Sequence, residues 1–491
     1  VKILRGLKMT EQFEYKGTWF LPSNKELRFS GVLTYDRKKG GKLELFGNFE
    51  NKRFLHDFKN EEIIQGVTSD SEHITLVDCL MISPGEGRFR VGKEYGTPSV
   101  KYKIELILEG VHIDKKDDLK FQQLSARIQN LDEWIGIYGF SRPEYGRQNK
   151  EIHISCKLPS NIEFQINNDW NGQFFFSFDA PLQPQKVTVT QNIYFHMSSQ
   201  SEHSLTDVLR YFYWFQHFLV LGLHRKTYWQ EITLCSERFT TQLTNTIKLT
   251  SIKLYPYNID YETVESQRAD MLFSYQDIKT EFPSLIKNWF EKYELLEHQF
   301  NLLFANFYMD KIFSENTFLN LARAAESFHA KTHEGETKMD ADKYEEMKKC
   351  ILEFVDKKME ERFLKSVEHQ DAHVVRYLNQ EYHSWLKEKF NFGNQLTLHD
   401  RLSSLVDTCS NEVLNSVLGD KETFLRQVKQ SRNFYTHYSE PKKHTLKDGD
   451  LYILSEKLKL LLVCAFLLEI GMEHQKLSSL LENIDTRHLV S

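Results

Sequence analysis

The feature that most constrains this chain is a change of hydrophobic period along it. Up to about residue 265 the apolar residues recur at every second position, and beyond it they recur at helical spacing. Gly31, Leu33 and Tyr35 alternate with polar neighbours, the charged stretch Asp36 to Lys42 interrupts them, and Leu43 and Leu45 resume the alternation. This is a hairpin pattern, and Arg37, Lys38, Lys39 and Lys42 read as solvating charges of its turn. Further strands are expected at Tyr102–Leu108, at Ile152–Leu158 and from Ile162 to Ile166. Asn171–Gly172 reads as a turn before the aromatic run Phe174–Phe176. Val187, Val189, Ile193 and Phe195 continue the theme, and Ile247, Leu249, Ile252 and Leu254 read as closing strands. Such spacing predicts an antiparallel sandwich or barrel. One helix interrupts it, Leu205–Leu223, with Ser204 or Thr206 as its cap. It is apolar nearly all round, which predicts burial against the sheet.

Past residue 265 the pattern is almost wholly helical. Pro283 sits where a helix can begin, and Leu285, Ile286, Trp289, Phe290, Tyr293, Leu296 and Phe300 follow at helical spacing. Loops are expected at Glu334–Gly335 and at Asn391–Asn394. The fold class is therefore α+β. A β-rich half over 1–265 precedes a helical connector over 266–310 and an all-α domain over 311–491. A chain of 491 residues is too long for one core, and only 10 Pro and 22 Gly leave little room for long disordered linkers.

A net charge of −6 disfavours a broad basic surface that coats nucleic acid, but leaves room for a local basic site. The six cysteines are scattered, with no CxxC pair, so reduced thiols are expected in place of a zinc site or a disulfide framework. Val1–Lys8 is short and basic, without an apolar core of signal-peptide length. The most apolar run, Leu460–Leu468, is too short to span a bilayer. A cytoplasmic protein with no membrane partner is expected. No P-loop, GxSxG, HExxH or GxGxxG pattern stands out.

The stretch Ser431-Arg432-Asn433-Phe434-Tyr435-Thr436-His437 is the most informative. Histidine exchanges protons near neutral pH, and arginine offers a permanent, bidentate charge for phosphate oxygens. Together they suit proton transfer beside a charged phosphate centre. Asn433 can orient either residue or hold a phosphate. Arg432 and His437 are five residues apart, about 140° on an ideal helix, so they do not share a face. Either the helix loosens there or the long arginine reaches round. Pro441 lies beyond and helps to end the helix.

The arrangement resembles the RxxxxH motif of HEPN ribonucleases. The flanking segments agree: Phe424, Leu425 and Val428 before it, the apolar helix Leu451–Ile470 closed by Gly471 after it, and an earlier helix with Phe318, Leu321, Ala322, Ala325 and Phe328. This order resembles the C-terminal HEPN domain of ApeA-type anti-phage proteins, and the β-rich half resembles their N-terminal domain. The resemblance implies a dimer of HEPN domains with a composite cleft, 2′,3′-cyclic phosphate products, no cofactor, and a role in abortive anti-phage defence. The N-terminal half is not needed for cleavage and is expected to sense a phage protein, and a structured RNA such as tRNA would suit a composite cleft between two protomers. Around the motif, Glu326 completes the polar cluster or pairs with Arg323 on a solvated helix face. His329 reads as a satisfied core histidine. Lys442, Lys443 and Tyr438 are candidates to hold RNA, against a solvated loop as the alternative. The rival reading of the whole is a non-catalytic HEPN module for dimerisation or RNA docking, joined to a β-rich ligand-binding domain.

Overall fold

The computed structural model describes residues 12–484 apart from 50–58, 85–89, 92–93, 96–98, 142–143, 147–150, 184, 244–245, 257–269, 309–313, 369–379 and 439, together with Leu489. The change of period near residue 265 falls outside the described residues.

Six strands close into an antiparallel barrel. They are β1 (Gln12–Leu21), β2 (Asn24–Asp36), β3 (Gly40–Phe46), β4 (Glu61–Thr68), β5 (His73–Pro84) and β6 (Ser99–Glu109). The ring runs β1–β2–β3–β6–β5–β4 and returns from β4 to β1. Its interior is filled by alternate residues, among them Trp19, Leu33, Leu43, Leu45, Ile64, Leu76, Val100 and Ile104. Closure removes the free edges of a small sheet. Gly66 makes room for the largest of these side chains: a Cβ there would fall 2.2 Å from the Trp19 ring.

β6 stays paired with β5 along its length and is long enough to take two partners in succession on its other edge. Its first residues pair with β3, and Leu106–Glu109 pair with β12 (Ile252–Pro256). From β12 the sheet continues through β11 (Trp229–Cys235), β7 (Lys120–Ile128), β10 (Thr190–Ser204), β9 (Trp170–Asp179) and β8 (Ile162–Gln165). The helix Leu205–Leu223 lies on one face of this extension, where Phe215 stacks on Phe195 at 4.0 Å. Ser204 is its cap, accepting from the Asp207 N–H at 3.1 Å.

The barrel resolves the choice between sandwich and barrel, and four local expectations are corrected. Arg37 does not solvate its hairpin turn: it is buried, donates to the Trp229 carbonyl and lies over the Trp229 ring. Asn171–Gly172 is strand, because the turn comes earlier, where Asn167 Oδ1 accepts from the N–H groups of Asp169 and Trp170. Gly172 is needed inside the strand, since a Cβ there would strike the Phe164 ring. Ile152–Leu158 is not one strand. Glu151–His153 pairs with Glu144–Gly146, and Cys156 bridges singly to Phe140. Val187 belongs to a separate two-residue pairing and is exposed, so the long strand starts at Thr190.

The chain divides into two compact units, the first comprising described residues up to Leu295 with Ile470–Met472 and Ser479–Ile484, the second Leu296–Glu469 with Glu473–Ser478 and Leu489. The division falls inside the helix Phe282–Tyr308, where Leu296 departs from helical dihedrals. In the helical unit, Ser314–Thr332 packs on Asp448–Glu469, and Phe466 meets Phe300 and Phe328. Leu398–Thr408 and Lys421–His437 complete the group around Ser314–Thr332. The helix Gln380–Gly393 extends through Asn391, so the expected loop begins only at Asn394.

Candidate functional site

The motif occupies the end of the helix Lys421–His437. Asp420 caps its start by accepting from the Thr423 N–H at 2.9 Å. Phe424, Leu425, Val428, Ser431 and Tyr435 form its buried stripe. Arg432, Asn433 and His437 lie off that stripe, with Arg432 and Asn433 half-buried and His437 exposed.

The helix does not loosen at the motif. It stays helical through His437 and closes at Tyr438, whose left-handed backbone (φ 47°) lets its N–H reach the Phe434 carbonyl. Pro441 is not needed to stop it. Arg432 and His437 therefore leave a regular helix in different directions. The guanidinium turns towards the helix Ser314–Thr332, where Nη2 lies 3.2 Å from Glu326 Oε2, while Nη1 donates to Asn433 Oδ1 at 3.4 Å. Glu326 thus pairs with Arg432. Among the described residues, no hydrogen bond or ion pair engages the His437 ring.

The basic segment after the motif folds back on the helix. Leu446 is held from both sides: its N–H donates to Ser431 Oγ at 2.9 Å, and its carbonyl accepts from the Tyr435 hydroxyl at 3.2 Å. His444 N–H donates to Gln430 Oε1 at 2.9 Å, and Lys447 Nζ lies 5.0 Å from the Phe434 ring centre. Lys442 and Lys443 are exposed on this segment. Tyr438 is 70% exposed, and its hydroxyl donates to Glu315 Oε2 at 3.1 Å, which raises its pKa. Glu315 is a neighbour that sequence reasoning did not single out, and Ser431, within the motif stretch, was given no role of its own. Nothing local marks Glu315, because its contact spans 123 residues, whereas the place of Ser431 on the apolar stripe was a usable signal.

His329 is fully buried, stacked on His333 at 4.1 Å, with Arg401 Nη1 3.5 Å from its Nδ1. Burial lowers its pKa to about 4. It is a core histidine but not a satisfied one: among the described residues its Nε2 has no hydrogen-bond partner. All six cysteines are free, and among the described residues no cluster of His, Cys, Asp or Glu is placed to hold a metal. No helix among them is long and apolar enough to cross a membrane.

This packed helical group, with an Arg-Asn-x3-His motif ending one helix, matches at residues 319–476 the family model described as Apea-like HEPN. The helical unit is thus a HEPN domain, the class found in nuclease-type anti-phage defence proteins. Residues 14–289, over half of the chain, match the model described as ApeA N-terminal domain 1, and the chain belongs to the ApeA family. No curated protein and no solved structure matches it.

Proposed function

We propose that this protein is a metal-independent endoribonuclease of anti-phage defence, with Arg432 and His437 as its catalytic residues. The observation that carries the reading is the division of labour at the motif. Arg432 is oriented by Glu326 and Asn433 on a regular helix, while His437 stands exposed at the end of that helix. An oriented cation and an accessible imidazole are the two groups that 2′-hydroxyl attack requires. His437 moves the proton, either taking it from the 2′-hydroxyl or giving it to the departing 5′-oxygen. Arg432 stabilises the charge that gathers on the phosphate oxygens. The new 2′-O–P bond replaces the 5′-O–P bond, leaving a 2′,3′-cyclic phosphate and a 5′-hydroxyl.

The divergence of the two side chains from one regular helix supports a composite site. In a homodimer, the Arg432 of one protomer would work beside the motif of the other. Lys442, Lys443 and Tyr438 would hold RNA beside the scissile bond, and a tRNA-sized loop suits such a cleft. The β-rich half would recognise a phage protein and release the activity.

The test is the 3′-end chemistry of RNA fragments made by purified protein, with Arg432→Ala and His437→Ala alongside. Cyclic phosphate ends lost in both variants support the reading, and cleavage retained in both defeats it. One observation favours the rival, a non-catalytic HEPN module: Arg432 already has a carboxylate partner. That reading expects no cleavage by the unmodified protein under any trigger, with RNA binding or dimerisation intact.

A further inference from the structure

The face of the extended sheet opposite the helix Leu205–Leu223 carries a polar field that the nuclease reading does not use. On β10, Ile193, Phe195 and Met197 are fully buried, and Phe195 stacks on that helix. Asn192, Tyr194 and His196 therefore leave on the other face. Strand register continues this face sideways, placing His196 beside Ser125, Ser125 beside Thr233, Thr233 beside Lys253, and Lys253 beside Glu109. One step along the strands, Tyr194 stands beside Phe175, and Arg127 beside Glu231. A further step along, Asn192 stands beside Ser177. Asp132, in the helical turn Leu131–Ile135 after β7, accepts the Ile193 N–H at 3.0 Å and so reaches the same neighbourhood.

A solvated sheet face presents long polar side chains to water. Here Asn192, Ser177, Tyr194 and Thr233 are only 4%, 5%, 6% and 7% exposed. Burial pushes the Asp132 carboxyl up to about 7 and raises that of Glu231. Among the described residues, Asn192 Oδ1 is buried without a hydrogen-bond partner, and so is Arg127 Nε. Arg127 and Glu231, neighbours in register, are not in ion-pair contact, although the Arg127 charge acts on both Glu231 and Asp132. Buried polar atoms left unpaired are rare and costly, and a ligand or ordered water commonly meets them. By contrast, Ser125 is bonded to His196 Nδ1 at 2.8 Å and Lys253 to Glu109 at 2.7 Å, so that side of the field is already satisfied.

The unmet groups specify a complement. Arg127 offers guanidinium donors, which suit a carboxylate. Asn192 Oδ1 and Asp132 offer acceptors on one side of Arg127, which suit the N–H donors of an ammonium. Same-face neighbours lie about 5 Å apart across strands and about 7 Å along one, so Arg127 and Asn192 are within reach of the two ends of one small molecule. We propose that this face binds a free α-amino acid as a zwitterion, its carboxylate on Arg127 and its ammonium between Asn192 and Asp132, on the same side of Arg127. The inference is independent of the nuclease reading, because it is read by binding and not by RNA cleavage.

The test follows thermal unfolding of the full-length protein with each standard L-amino acid in turn. The N-acetyl amide of any amino acid that binds serves as the uncharged control. At least one amino acid should raise the melting temperature saturably. At a hundredfold excess over Kd, the ratio of folded to unfolded protein should rise about a hundredfold. The shift should vanish with the capped derivative and in Arg127→Met, which keeps the stem and removes the guanidinium. Asn192→Leu repeats the test where Arg127→Met fails to fold. A site filled only by water gives no shift with any amino acid and overturns the proposal. A shift that survives Arg127→Met or Asn192→Leu, or is matched by the capped derivative, overturns it equally.

Discussion

Glu326 Oε2 meets Arg432 Nη2 at 3.2 Å, across 106 residues of sequence. The contact joins two helices of the HEPN domain at the motif and fixes where the guanidinium points. The two side chains are 36% and 31% exposed, so the pair is of the surface kind, worth about 0–1 kcal/mol. On the nuclease reading, a phosphate can therefore compete for the same guanidinium without a large cost.

On the nuclease reading, Arg432→Ala and His437→Ala should each lower single-turnover RNA cleavage by about 10²–10⁴-fold, the usual range for losing a proton-transfer or charge-stabilising group. Both positions lie off the buried stripe of their helix, so melting temperature should hardly move. A large fall in melting temperature would show that the residues hold the fold.

Glu326→Gln should change stability by less than about 1 kcal/mol, as expected for an ion pair of this exposure. On the nuclease reading it should still lower cleavage, by less than Arg432→Ala does, since the guanidinium remains but is less well held. Cleavage equal to that of the unmodified protein would remove Glu326 from the site.

Ser431→Ala should destabilise the helical unit by about 1–3 kcal/mol, because the Leu446 N–H loses its acceptor. Tyr435→Phe removes the opposite contact, to the Leu446 carbonyl, and should cost about 1 kcal/mol. The two effects should be non-additive, since both act on one peptide unit. Denaturant titration of the single and double variants measures this, and strict additivity would contradict it.

Stability should fall with rising pH through Asp132. Its carboxyl titrates near the ordinary 3.8 when unfolded and at about 7 when folded, because burial disfavours the charged form. Between those values the folded state holds a proton that the unfolded state has lost. The contribution is therefore complete below about pH 4 and is lost as pH rises through about 7, at about 1.4 kcal/mol per unit. Asp132→Asn should remove that slope. Identical pH profiles for the two proteins would refute the assignment.

Gly66→Ala should be poorly tolerated, because its Cβ would enter the Trp19 ring at 2.2 Å. Overpacking of this kind costs about 1–3 kcal/mol. A melting temperature unchanged from the unmodified protein would mean that the barrel core can shift to accept it.

Much of this architecture was legible in the order of residues. Period-two alternation at Gly31–Tyr35 and Tyr102–Leu108 disclosed parts of the strands Asn24–Asp36 and Ser99–Glu109, and a helix apolar on all sides disclosed its own burial at Leu205–Leu223. Such signals are local, since side-chain direction repeats with the backbone. The errors arose where a local signal had a non-local cause. Asn171–Gly172 reads as a turn, but its glycine is there to admit the ring of Phe164 from the next strand. Arg37 reads as a solvated turn residue, but its acceptor is the carbonyl of Trp229, 192 residues away.

The same division runs through the candidate site. The sequence by itself determined the Arg-Asn-x3-His spacing, the apolar stripe beneath it and the helical class of the domain around it, because each is written within a few turns of one helix. Only the tertiary structure decided that the helix stays regular through His437, that Glu326 is the partner of Arg432, and that Leu446 is pinned between Ser431 and Tyr435. Those contacts depend on which helices pack together, and hydrophobic period records that a face is buried without recording what buries it.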